Sequence, residues 1–213
     1  MLLLLLNDEL IPILKNIAWA GSQMSVYIFC SDVNIGFIKA ILGAKASSYT
    51  IKAVFTSLGT SESGKNDYNT FLTSAATYKM INAEYIITVQ MDTFFRRSIP
   101  DEIFTGIYWG NPWAWKSDYA GGGGATVRKV VDMIRICETN TNHGDNEDSW
   151  LADRINENGD YLPPLSFRAE MIMESLPSNN PVILHQFWTF LDQYMGFPNT
   201  AFIGYWKHLL SFG

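Results

Sequence analysis

Residues 84–95, with the sequence Glu-Tyr-Ile-Ile-Thr-Val-Gln-Met-Asp-Thr-Phe-Phe, decide the fold that this chain is expected to adopt. The segment Tyr85–Val89 is β-prone and too continuously apolar for a strand with one face in water, so it predicts a buried central strand. The strand ends at Gln90 and Asp92. Because ligands of open α/β sheets bind at the carboxyl ends of the strands, Asp92 is well placed to hold a divalent cation. The alternative is that Asp92 only caps the turn that follows.

The chain before this strand predicts strands and helices in alternation. Residues 1–6 are apolar but lack a basic leader, so they predict a first buried strand and not a signal peptide. Further predicted elements are a helix at 8–19, a strand at 24–30, a helix at 35–42, a strand at 49–55, a polar loop at 56–66 and a helix at 67–82. Right-handed crossovers would join these strands into a largely parallel sheet with helices on both faces.

The second half of the chain has a different pattern. It predicts short strands with Pro and Gly turns, four consecutive glycines at 121–124, one helix at 126–137 and an acidic loop that runs into Glu147 and Asp148. We therefore expect a single domain over residues 1–213, with a nucleotide-binding half at about 1–98 and an acceptor-binding half at about 99–213. The chain ends without a polar tail, as expected of a domain cut from a longer protein.

Composition narrows the possible partners. The net charge is -6 and Lys and Arg form no cluster longer than a pair such as Arg96-Arg97, which argues against a nucleic-acid-binding surface. No stretch approaches the roughly 20 apolar residues that a membrane span needs. Cys30 and Cys137 lie in apolar segments, so we expect no disulfide and a reducing compartment, the cytoplasm. Aromatic residues make up 14% of the chain, and several stand beside Gly and Pro, as in a sugar-binding cleft.

The glycine run at 121–124 allows two interpretations. Glycines before a helix expose backbone N–H groups to an anion, but neither a Walker loop nor a dinucleotide fingerprint matches here. The run is therefore either a flexible turn or a glycine floor on which a bulky ligand lies against the backbone.

Three further side chains are candidates for chemistry. Glu147 and Asp148 fit the first turn of a helix, which favours acids, or they include a general base. His185 ends the apolar run at 181–184, so it is either a core histidine or a ligand that emerges at a strand end as Asp92 does.

Taken in order, these segments resemble the nucleotide-sugar-dependent glycosyltransferases of the GT-A fold, in particular a virus-encoded group that includes a chlorella virus domain. The likeness covers most of the chain and lies in the lead strand, Asp67-Tyr68-Asn69, Val89-Gln90-Met91-Asp92, Gly110-Asn111-Pro112-Trp113, the glycine run with Val127-Arg128, Glu147-Asp148 and Leu184-His185. It implies a GT-A-like, Rossmann-like α/β fold with a mixed, mostly parallel central sheet flanked by helices. For a virus-encoded protein, the compartment would be the host cytoplasm.

The resemblance also implies roles for individual residues. The family's strand-end Asp-x-Asp motif holds Mn²⁺ (or Mg²⁺) against the donor diphosphate; Gln90 replaces its first acid here, so Asp92 is the main carboxylate ligand and His185 completes the metal site. Asp148 matches the base of inverting members. The resemblance assigns a UDP-sugar donor, a glycan or glycoprotein acceptor, donor contacts at Tyr68, Asn69, Gln90, Asp92, Gly122 and Gly123, and acceptor contacts at Trp109, Asn111 and Trp113. Thr56 joins the donor contacts because loop 56–65 follows a strand end and is expected to order on donor binding.

Two other functions fit parts of the sequence. A sugar-nucleotide nucleotidyltransferase would carry a Gly-rich basic loop after its first strand, where this chain has Asn7-Asp8-Glu9. A non-catalytic carbohydrate-binding module would use the aromatic surface and bind glycan without nucleotide.

Overall fold

The fold is taken from a computed structural model, which describes residues 2–4, 10–21, 24–55, 62–90, 92–176, 178 and 180–186. For residues 2–4, 10–12, 55 and 62–66 the backbone alone is described. The strands are β1 (Leu2–Leu4), β2 (Tyr27–Ser31), β3 (Thr50–Phe55), β4 (Tyr85–Val89), β5 (Thr93–Phe95), β6 (Tyr108–Asn111), β7 (Gly122–Lys129), β8 (Ile172–Met173) and β9 (Ile183–His185). The helices are α1 (Leu10–Ala20), α2 (Ile35–Leu42), α3 (Glu62–Leu72), α4 (Ala75–Lys79), α5 (Val130–Thr139), α6 (Glu147–Asn158) and α7 (Leu165–Met171), with 3-10 helices at Gly43–Ser48 and Asp101–Ile103.

The larger sheet has the strand order β3-β2-β1-β4-β7-β6. The pairs β3-β2, β2-β1 and β1-β4 are parallel, whereas β7 is antiparallel to both β4 and β6. The chain is therefore a mixed α/β protein, as predicted, and strands from its two halves share this sheet. Among the described residues, no helix combines the length and apolarity needed to cross a membrane.

The central strand β4 has the predicted bounds, and alternate side chains reach opposite faces of the sheet. Ile87 packs in a core cluster with Ile17 of α1, while Ile86 packs in a second cluster with Met133 of α5 and Leu151 of α6. A strand buried on both faces loses the polar alternation of a half-exposed strand, which is why the apolar run predicted it correctly.

The helix predicted at residues 126–137 is wrong in its first turn. Residues 126–129 continue strand β7, whose ladder with β4 pairs Ala125 with Val89 and Lys129 with Tyr85. The β-branched Thr126 and Val127 fit a pleated, buried surface. The helix begins only at Val130, so the glycine run enters a strand and not a turn before a helix.

The elements after β3 also differ from the prediction. Residues 62–66, predicted as part of a polar loop, already belong to α3, while residues 56–61 lie outside the described part of the chain. The helix predicted over 67–82 is divided into α3 and α4 at Thr73 and Ser74. Thr73 Oγ1 donates to Asn69 O at 2.8 Å, and a side chain that bonds the backbone in this way competes with helix continuation.

A second, three-stranded sheet has the order β5-β9-β8. Strand β5 begins directly after Asp92 and is antiparallel to β9, with Thr93 opposite His185. This pairing brings the end of β9 to the carboxyl end of β4, so two side chains far apart in sequence become neighbours.

Candidate functional site

The carboxyl end of β4 carries the first group of candidate residues. Asp92 is partly buried, and its Oδ2 accepts a hydrogen bond from Gln186 Nε2. Its Oδ1 lies 3.2 Å from His185 Nε2. The structure therefore brings together Asp92 and His185, the two residues predicted to hold a metal.

The His185 imidazole lies between two carboxylates. Its Nε2 is near Asp92, and its Nδ1 is 3.3 Å from Glu174 Oε2. The His185 side chain is only 4% exposed. Among the described residues, neither ring nitrogen has a hydrogen-bond partner with good geometry, and the same holds for Asp92 Oδ1 and Glu174 Oε2. These are buried polar atoms with unused capacity for a ligand.

The contacts among Asp92, His185 and Glu174 shift the pKa values of His185 and Asp92. Burial favours the neutral forms, but the contacts with Asp92 and Glu174 raise the pKa of His185 to about 9. Burial likewise opposes ionisation of Asp92, yet His185 and Gln186 lower the pKa of its carboxyl group below the ordinary value. At neutral pH the group without a cation therefore contains an imidazolium held between carboxylates.

Glu174 was not predicted from the sequence. It follows β8, whose parallel pairing with β9 brings it to the Nδ1 side of His185. Its sequence neighbours, Met173 and Ser175, form no recognisable motif. Only the tertiary pairing of these two short strands identifies Glu174.

The glycine run lies against this group. A Cβ on Gly124 would lie 1.8 Å from His185 Nε2, so any larger residue there would displace the ring. Gly123 has φ +75, a left-handed conformation that favours glycine. The flexible-turn interpretation is wrong for residues 122–124, which belong to β7 and have side chains packed directly on their backbone. The glycine floor for a bulky ligand stays a prediction.

Asp148 borders the same glycines. The position that a Cβ would take on Gly123 is 3.8 Å from Asp148 Oδ2 and 3.6 Å from His185 Cε1. Asp148 Oδ1 accepts a hydrogen bond from Ser149 N at 2.7 Å. One carboxylate oxygen is thus engaged with the helix start, and the other faces the glycine floor.

Glu147 makes different contacts from Asp148. Its carboxylate is buried and lies 2.9 Å from Arg128 Nη2. Arg128 is also buried, and it donates to Thr126 Oγ1 and Tyr78 OH. Burial disfavours the charged guanidinium, but Glu147 together with Tyr78, Tyr108 and Tyr68 more than offsets this effect and raises the pKa of Arg128. The ion pair fixes the start of α6 against β7 and so orients Asp148.

Three predicted donor contacts connect α3 with this region. Gln90 Nε2 donates to Tyr68 OH at 2.9 Å, and Asn69 Oδ1 accepts from Glu147 N at 3.1 Å. Asn69 is buried and bonds the first turn of α6. Thr56, the remaining predicted donor contact, lies outside the described residues.

The residues predicted to bind the acceptor lie in different environments. Trp109 is fully buried, donates from Nε1 to Thr105 O and packs against Phe167, so its ring belongs to the core. Asn111 is also buried, but neither polar atom of its amide has a partner among the described residues, and Oδ1 lies 3.9 Å from the Cβ position of Gly123. Trp113 is partly buried beside the glycine floor.

Comparisons with known proteins connect the chain to a protein family. No curated protein matches the chain. A family model described as a protein of unknown function, DUF5672, matches residues 51–185. The match begins in β3 and ends at His185, so it contains Asp92, the glycine run, Asp148 and Glu174. Because it covers more than half of the sequence, the chain belongs to the DUF5672 family.

Proposed function

We propose that this protein is a glycosyltransferase of the GT-A fold that moves a sugar from a UDP-sugar to a glycan acceptor, with help from a divalent cation and with inversion at the anomeric carbon. The observation that carries the proposal is the convergence of Asp148 and His185 on Gly123, with Asp92 in contact with His185. A cation site and a carboxylate that meet at one glycine floor would provide what transfer from a sugar diphosphate requires.

The side chains present fit a cation. Two ligands at about 2.1 Å from one metal ion and roughly at right angles to each other lie about 3 Å apart. Asp92 Oδ1 and His185 Nε2 are 3.2 Å apart. Glu174 lies at the other ring nitrogen, as a carboxylate that orients a metal-binding histidine does.

The protein would supply only part of the coordination. Among the described residues, no three His, Cys, Asp or Glu side chains form a metal-binding group. Mg²⁺ is commonly bound through one or two carboxylates together with substrate phosphates, and Asp92 would supply one such carboxylate. The cation, when bound, would neutralise charge on the diphosphate leaving group.

Asp148 is the proposed base. As the acceptor oxygen bonds to the anomeric carbon and the bond to the diphosphate breaks, the acceptor hydroxyl proton passes to Asp148 Oδ2 and UDP leaves. The hydrogen bond from Ser149 N to Oδ1 holds the carboxylate in place. The buried Arg128–Glu147 pair holds the helix start that carries it.

The proposal is tested with nucleotides and purified protein. UDP, GDP and CMP are added with and without Mn²⁺ while the melting temperature is followed, and UDP-sugar consumption is then measured with glycan acceptors. UDP should stabilise the protein only with Mn²⁺, and Asp92→Ala should abolish this effect. Stabilisation by UDP that is unchanged in Asp92→Ala, or the absence of transfer with all UDP-sugars, would contradict the proposal.

A histidine variant separates binding from folding. His185→Ala should weaken Mn²⁺-dependent UDP binding and lower the melting temperature, because the contacts with Asp92 and Glu174 are lost, while the protein still folds. A histidine that serves only the core would also lower the melting temperature but would leave the affinity for UDP unchanged.

A further inference from the structure

The segment 112–119 presents aromatic rings in sequence from the glycine floor to solvent. Trp113 and Trp115 lie parallel, with an interplanar angle of 8° and ring centroids 6.2 Å apart. Trp113 also stacks on Tyr119, with centroids 6.5 Å apart. Trp115 is 66% exposed. We call Trp113 and Trp115 the aromatic platform.

The inner end of the platform touches the proposed catalytic region. A Cβ on Gly122 would lie 2.3 Å from Trp113 Cζ2 and 2.6 Å from Asp148 Oδ2. Trp113 is therefore adjacent to Asp148, and Trp115, which stacks on Trp113, is the exposed member of the pair.

The backbone that carries the platform is held by buried side chains. Ser175 Oγ accepts a hydrogen bond from Ala114 N at 3.0 Å and donates to Pro112 O at 3.1 Å. Arg168 is 2% exposed and donates to the backbone carbonyls of Tyr119 and Ser117 at 2.6 and 2.7 Å. The segment is fixed before and after Trp115 although the Trp115 ring itself is exposed.

A rigid, exposed indole is a surface prepared for binding. Trp provides a large apolar contact area at a low cost in conformational entropy, and fixing it in advance lowers the entropic cost of binding further. Pyranose rings offer C–H faces that stack on an indole, and the chain's net charge of -6 favours a neutral ligand over an anionic one.

We propose that the aromatic platform binds a neutral oligosaccharide acceptor, with its terminal sugar at Asp148 and a sugar further from the terminus stacked on Trp115. This proposal rests on the proposed function for the identity of the site, and it specifies the acceptor class. The acceptor is then a glycan of several sugars and not a monosaccharide.

The test compares Trp115→Ala and Trp115→Phe with Trp19→Ala in the full 213-residue chain. Trp19 is a matched control because it is 59% exposed but lies on α1. Cello-, malto-, chito- and xylohexaose are titrated by calorimetry with and without UDP and Mn²⁺. Trp115→Ala should weaken glycan affinity at least about tenfold, Trp115→Phe less, and Trp19→Ala not at all. UDP affinity and the melting temperature should stay unchanged.

Two results would overturn the proposal that the platform binds glycan: equal glycan affinity in the wild type and Trp115→Ala, or no binding of any hexasaccharide by the wild type under either condition. Different results would contradict the proposed transferase function. Glycan binding that depends on Trp115 without any sugar transfer supports the platform and contradicts the transferase. Transfer with the same acceptor KM in Trp115→Ala supports the transferase and contradicts the platform.

Discussion

Glu174 lies on the far side of the His185 ring from Asp92, with its Oε2 3.3 Å from His185 Nδ1. A proton on Nδ1 would point to this carboxylate, which leaves the Nε2 lone pair directed to the Asp92 side. With a cation bound at Nε2, Glu174 would therefore hold the remaining proton on Nδ1 and set the orientation of His185, as carboxylates next to metal-binding histidines do.

Glu174→Ala should weaken Mn²⁺ binding by about 10- to 100-fold because the ring loses the partner that orients it. Glu174→Gln should lose less, since its side-chain oxygen can still accept from Nδ1. Calorimetry with Mn²⁺, with and without UDP, measures this independently of activity. Glu170→Ala is the control, because Glu170 is an exposed acid on the neighbouring α7. If Glu174→Ala and Glu170→Ala bind Mn²⁺ equally well, Glu174 does not position the histidine.

The free energy of unfolding of the metal-free protein should fall as the pH rises through about 9. The pKa of His185 is raised from its ordinary value of 6.5 to about 9, so the folded state binds the proton more tightly than the unfolded state. This contribution, on the order of 3 kcal/mol, is complete below about pH 6.5 and is lost as the pH passes through the folded-state value.

Urea unfolding between pH 6 and 9.5 with a chelator measures this slope. His185→Gln should remove that part of the slope. His143→Gln, which changes an exposed histidine, should retain it. A wild-type slope equal to that of His185→Gln would mean that the carboxylates do not stabilise the imidazolium.

The sequence predicts the strand that leads to this site better than it predicts the elements around it. The strand Tyr85–Val89 and the polar residues at its end follow from one local apolar run. The change from strand to helix at Lys129 and Val130 has no such local signal, because Arg128 is buried through its pairing with the distant Glu147. From the local sequence, Arg128 therefore predicts the exposed face of a helix, although it lies buried in a strand.

Glu174 was missed for a related reason. The contact that identifies it depends on the pairing of β8 with β9, and β8 has only two residues. Asp92 and His185 were found because each ends a visible apolar segment. The resemblance places Trp109 at the acceptor, but its ring is fully buried and packs against Phe167 in the core.

Gly124→Ala should damage the site, whereas Gly36→Ala should not. A Cβ on Gly124 would overlap His185 Nε2, so the imidazole must move away from Asp92. A Cβ on Gly36 in α2 meets nothing within 4 Å, and Ala in a helix is favoured over Gly by about 1 kcal/mol. Gly124→Ala should therefore lose Mn²⁺-dependent UDP binding, and Gly36→Ala should raise the melting temperature slightly. Normal UDP binding by Gly124→Ala would show that the packing of His185 on the strand is not needed.

Asp148→Asn should reduce sugar transfer by about 10² to 10⁴ while Mn²⁺ and UDP affinities stay near those of the wild type. Asn has the same shape and can still accept the hydrogen bond from Ser149 N, so the helix start is preserved, but it cannot take the acceptor proton.

Asp132→Asn provides a matched control, since Asp132 is an acid in the first turn of α5. It should transfer sugar at the wild-type rate. Stopped transfer assays give the rates, and NMR of the product gives the anomeric configuration, which should be inverted. A near-normal rate in Asp148→Asn, or a product that retains its configuration, would leave Asp148 as a helix-start residue and require another base.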